Sequence, residues 1–153
     1  MKRKVPRVLT VALASAVHLF LSGIAHAHTT IWPRQSIAGM MEKYTVRVPA
    51  ESAVMSKGAE LEVPEGVIVQ TIGVPAGWKY DVKRQDGRIV GIAWHMDIKP
   101  GEFAEFTFVA RNPQDKNQLV WKLREFFADG KVTDFTNGPQ GVYPTAVVKL
   151  TPN

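Results

Sequence analysis

Cysteine is missing from the 153 residues. The domain must hold itself without disulfides, and thiolate metal sites, thiol nucleophiles and dithiol redox chemistry are excluded. Histidine is almost as scarce, with four residues in all. A large excess of charge is missing too. Of the 19 basic residues, Lys2, Arg3, Lys4 and Arg7 lie in the first 27 positions, which hold none of the 14 acidic ones, so the formal +5 falls to +1 over residues 28–153. That is too little to recruit nucleic acid or an anionic membrane surface, and no Lys/Arg stripe runs along the chain. There is no Gly-x-Ser-x-Gly elbow, no His-Glu-x-x-His pair and no phosphate-cradling glycine loop. After the apolar run Val8 to Ile24 no second run of about 18 apolar residues follows, so no further membrane span is expected.

What is present begins with that run. A basic start, an apolar stretch and the small residues Ala25 and Ala27 around His26 have the order of a secretory signal with its cleavage site. Cleavage after Ala27 makes residues 1–27 a signal peptide and 28–153 one exported domain, periplasmic or secreted. The mature chain of 126 residues is long enough for a sizeable core.

Residues 28–153 read as short strands. Thr29 to Trp32 is extended, held from helical geometry by its β-branched residues and by Pro33. Arg34 to Gly39 reads as a turn or loop. Glu42 to Val48 alternates, with Tyr44, Val46 and Val48 on one face and Lys43, Thr45 and Arg47 on the other. Ser52 to Gly58 reads as a polar connection. Ala59 to Val63, Val67 to Val74, Trp78 to Arg84 and Arg88 to His95 follow, the last two joined by a hairpin at Asp86-Gly87. Phe103 to Arg111, Leu119 to Phe127, Lys131 to Thr136 after Asp129-Gly130, and Thr145 to Leu150 complete the set. With no helical period, the reading is an all-β antiparallel sandwich in a single domain.

Chemistry concentrates at His28. As the first residue of a processed chain it offers a free amine and a ring nitrogen that can chelate one metal ion. Both lose their protons readily near neutral pH, and copper heads the divalent affinity order. Glu42 begins the first long strand, and a return through Arg34–Met41 could bring it beside residue 28. The bland alternative is a solvent-facing strand-end carboxylate. Met40 and Met41 are soft donors but are equally suited to packing. His95 and Asp97 share a strand face, as a two-ligand site or as a solvated histidine. Three of the four tryptophans (Trp78, Trp94, Trp121) read as core, whereas Trp32 lies four residues from His28.

Taken together, His28-Thr29-Thr30-Ile31-Trp32-Pro33, Ser36-Ile37-Ala38-Gly39, Glu42-Lys43-Tyr44-Thr45-Val46-Arg47-Val48-Pro49, Pro75-Ala76-Gly77-Trp78, Ile98-Lys99-Pro100-Gly101-Glu102-Phe103, Arg111-Asn112-Pro113 and Asp129-Gly130 resemble the YcnI-like family of exported copper-binding domains. The resemblance implies an immunoglobulin-like β-sandwich that binds one Cu(II) through a single-histidine brace. It implies His28 and Glu42 as metal ligands and a late tryptophan packed at the metal, a place held here by Phe135, which keeps an apolar face but lacks the indole nitrogen. The function it implies is a non-enzymatic chaperone or buffer in copper homeostasis, exchanging Cu(II) with a copper transporter or a second copper chaperone. Two other classes remain: a metal-free interaction module using a sandwich face, and a histidine-brace copper oxidase or monooxygenase, for which His95 is the one further histidine after position 28.

Overall fold

The computed structural model describes residues 29–50, 52–136 and 145–153. Within them the chain forms eleven strands: β1 (Thr30–Trp32), β2 (Gln35–Ile37), β3 (Met41–Pro49), β4 (Ser56–Glu62), β5 (Ile68–Gly73), β6 (Lys79–Gln85), β7 (Arg88–Ile98), β8 (Phe103–Arg111), β9 (Gln118–Phe127), β10 (Val132–Phe135) and β11 (Ala146–Thr151). No helix forms among the described residues. The all-β expectation is borne out.

Two sheets face each other. One has the order β1-β3-β8-β5; the other runs β2-β11-β9-β4-β7-β6, with β10 also on β9. The pairs are antiparallel except β2 with β11. Alternation decides what lies between the layers: Tyr44, Val46 and Val48 of β3 and Phe106 and Phe108 of β8 meet Ile92 and Trp94 of β7 and Leu119 and Trp121 of β9, all buried. Their rings interlock. Tyr44 lies 5.0 Å from Trp121, and Trp94 stacks on Phe106 at 4.6 Å; such pairs contribute about 0.5–1.5 kcal/mol each beyond area burial. Asp86 and Gly87 both take positive φ, as the tight β6–β7 hairpin requires.

Two expectations are corrected. The 34–39 loop contains β2, whose Ser36 faces inward while Gln35 and Ile37 face out. The polar connection before residue 59 is the first half of β4, with a bulge between Ser56 and Gly58. The N-terminal segment thus serves both layers: β1 pairs with β3 in one sheet, and β2 pairs with β11 in the other.

Candidate metal centre

His28, with the whole proposed signal and its cleavage site, lies outside the described residues. Thr29, covalently next to it, is buried, and its hydroxyl has no hydrogen-bond partner among the described residues. Register locates this end of the chain. Thr30 pairs with Arg47 and Trp32 with Thr45, so β1, followed backwards, leads towards the Val48–Pro49 end of β3. β11, parallel to β2, begins at the same end of the sandwich and touches β1. Phe135 ends β10 opposite Leu123, two positions beyond Trp121, the partner of Ala146. It is buried, on the inward face it shares with Leu123. The Thr145 hydroxyl, just before β11, is also buried without a partner among the described residues. The start of β1, the start of β11, the end of β10 and the end of β3 therefore converge. Phe135 lies where an apolar wall beside the amine end would stand.

Glu42 does not join them. It pairs with Ala110, five residues along β3 from Arg47, or roughly 17 Å at strand rise. β1 leads away from it, because the 34–37 segment crosses to the second sheet instead of folding back. Glu42 has other work. Its Oε2 accepts a 2.7 Å hydrogen bond from the Ser36 hydroxyl, and its Oε1 accepts the Lys43 amide at 3.0 Å. Asn112 Nδ2 donates to Ser36 Oγ and to the Ile37 carbonyl, each at 2.9 Å. The Tyr44 hydroxyl donates to Asn112 Oδ1 at 2.6 Å. This chain of bonds clasps β2 to β3 and to the end of β8. Burial pushes the Tyr44 phenol up to about 12 against the help of its hydrogen bonds, and the nearby Glu42 charge adds to the rise. Sequence reading missed Ser36, Asn112 and Tyr44 as a unit; their joint role appears only once β2 is seen as a strand.

The remaining candidates separate. His95 Nε2 lies 2.7 Å from Asp81 Oδ2 across the β6–β7 pair, and Asp97 is taken by Lys57 at 2.5 Å. Both pairs sit on the outer face of the larger sheet, so the solvated-histidine alternative describes His95. Met40 and Met41 are exposed. Trp94 and Trp121 are core and Trp78 packs at its margin on Phe106, while Trp32 is half exposed under the Arg34 guanidinium. Among the described residues no group of three His, Asp or Glu side chains is placed to hold a metal. The first carboxylate in sequence beyond the β3 end that faces the amine terminus is Glu51, outside the described residues. Its signal in the sequence is its place two residues after the strand-ending Pro49.

Comparison with known proteins agrees with this architecture. The profile of the family DUF1775, a domain of unknown function, matches residues 28–150. The copper-binding protein CutI of Bacillus subtilis strain 168 is 29% identical over 154 aligned residues, covering 99% of this chain and 75% of CutI. An uncharacterised protein from Nocardia farcinica, described as having an immunoglobulin-like fold, superposes with a TM-score of 0.71 at 21% identity, over 81% of this chain and 98% of its own. A non-cellulosomal cohesin from Archaeoglobus fulgidus reaches 0.50 at 13% identity, over 81% and 90%. The sandwich is immunoglobulin-like, as expected.

Proposed function

Since this chain belongs to the DUF1775 family, we propose that it is an exported copper-binding protein whose mature form begins at His28 and takes one Cu(II) on that residue. The observation that carries the reading is where the family match begins. It starts at residue 28, one residue before a buried threonine and a strand hydrogen-bonded to β3. The likeness to CutI supplies the metal. The free amine and the imidazole give two nitrogens on one residue, a pair that suits copper above other divalent ions. Phe135 supplies the apolar wall that limits water at the ion. Glu51, next to the strand end that β1 approaches, supplies the carboxylate, and Glu42 keeps its structural clasp. In the precursor the amine is a peptide nitrogen, so the site forms only on cleavage. The protein is a binding domain, not an enzyme, and serves as chaperone or buffer in copper homeostasis outside the cytoplasm. It gives its cargo to, or takes it from, a transporter or second chaperone.

The test is a Cu(II) titration with electron paramagnetic resonance on protein whose mass confirms a His28 start, beside a form with one extra glycine before it. The native form is expected to take up one copper with a nitrogen-rich signal that the extended form loses. Glu42→Gln should leave the signal unchanged, whereas Glu51→Gln should alter it. Equal binding by the native and extended forms would place the site elsewhere and end the reading.

A further inference from the structure

The two outer faces of the sandwich differ in kind. On the larger sheet the charges are paired across strands: Lys57 with Asp97, His95 with Asp81, Lys122 with Glu62, and Arg124 with Asp134. The residues are largely Lys, Glu and Asp, the types depleted from protein interfaces.

The smaller sheet is otherwise. Its outward positions bring Lys43 and Arg47 of β3 beside Glu105 and Arg111 of β8, and Arg34 joins them by stacking on Trp32. Glu105 is the single carboxylate on this face among the described residues, and it is held by Arg47 through two hydrogen bonds of 2.9 and 2.7 Å. Four cations against one anion leave a net of +3, gathered from separate strands by the pairing register. Two exposed rings accompany the charge. Trp32 is 49% exposed and Phe103 61%; each has a guanidinium carbon 5.1 Å from its centroid. Between them the register lines up Thr45, Thr107 and Gly73 in one flat, low row. Aromatic, Met and Arg side chains around a flat centre are the composition that binding hot spots favour.

We propose that the outer face of the β1-β3-β8-β5 sheet docks a protein partner through an acidic surface. The net positive charge calls for acidic complementarity and makes a second copy of the same face repulsive. Guanidinium groups cover the rings and hold them flat on the sheet, which suits a protein contact better than insertion into a bilayer. Four strands of about nine residues span roughly 600 Å², less than the ~800 Å² per partner of a stable complex, so the docking is transient. The face begins at β1, so a docked partner lies beside the end of the chain that carries His28. That link to copper transfer rests on the proposed function; the docking itself does not, and it is tested without copper.

A photo-reactive benzoylphenylalanine is placed at Thr45, and separately at Ala93 on the opposite face, in the exported protein in its native host. The Thr45 form is expected to cross-link one discrete protein that the Ala93 form does not. That protein, purified, should bind the mature chain with an affinity that falls about tenfold or more between about 50 and about 300 mM salt. Lys43→Glu should weaken binding similarly. Lys43 is exposed and its ammonium makes no described contact, so this variant should keep the parent's thermal midpoint. Equal capture from both faces, no capture from Thr45, or binding indifferent to salt and to Lys43→Glu would overturn the proposal. So would equal salt-sensitive binding to phosphatidylcholine–phosphatidylglycerol vesicles, which would make the face a lipid contact. Copper uptake by the same samples reads the metal site independently.

Discussion

Tyr44 joins the two halves of the molecule's interior. Its ring packs between Phe108 and Trp121, and its hydroxyl starts the bond chain to Asn112, Ser36 and Glu42. Asn112→Ala leaves a buried phenol without its acceptor and frees the Ile37 carbonyl, so we expect a loss of about 2–3 kcal/mol in denaturant unfolding; Ser36→Ala should cost about 1–2. The clasp also sets an alkaline limit. The phenol is raised from 10.0 to about 12 in the fold, so its contribution is fully present below pH 10 and is lost as pH rises towards 12. The stability lost across that window should be about 2 kcal/mol, and Tyr44→Phe should abolish this part of the pH dependence. A pH–stability profile of both proteins checks it. In sequence, Glu42 was visible as a carboxylate but its role was not. Whether it serves a metal or a serine depends on which strand lies opposite, and three-residue β2 carries too little pattern to announce itself.

At the level of elements, most strands were legible because one face is buried and the other wet. Alternation in β3, β8 and β9 named the inward residues correctly, including Glu125, which is buried on the Trp121 face. Both Asp-Gly hairpins were legible as well. The first half of β4 was not, because its bulge breaks the alternation and Gly58 reads as a loop residue. Its reason is crowding: a Cβ on Gly58 would stand 2.5 Å from the Trp94 carbonyl oxygen. Gly58→Ala should therefore force the β4–β7 pair apart and cost about 2 kcal/mol or more, read by thermal or denaturant unfolding. The basic face was hidden from sequence for a related reason. Its cations lie on separate segments of the chain, and only the register assembles them.

For the whole molecule, copper and folding are coupled if the ion binds only the folded, processed chain. Free Cu(II) a thousandfold above its dissociation constant should then add about 4 kcal/mol to stability. The glycine-extended form should show no such gain, and paired thermal melts separate the two.

The first eight described residues, Thr29 to Ser36, are fastened to both layers, β1 to β3 and β2 to β11. An N-terminus is ordinarily the first part of a chain to fray. Here it works like a bolt through two plates, and releasing it means parting both. Amide protons of Ile31 and Ile37 should consequently exchange only with global opening, not with the fast local motions of free ends. The residue just ahead of the bolt thus inherits a fixed address, so that a cargo ion carried there could be offered to a partner in one orientation.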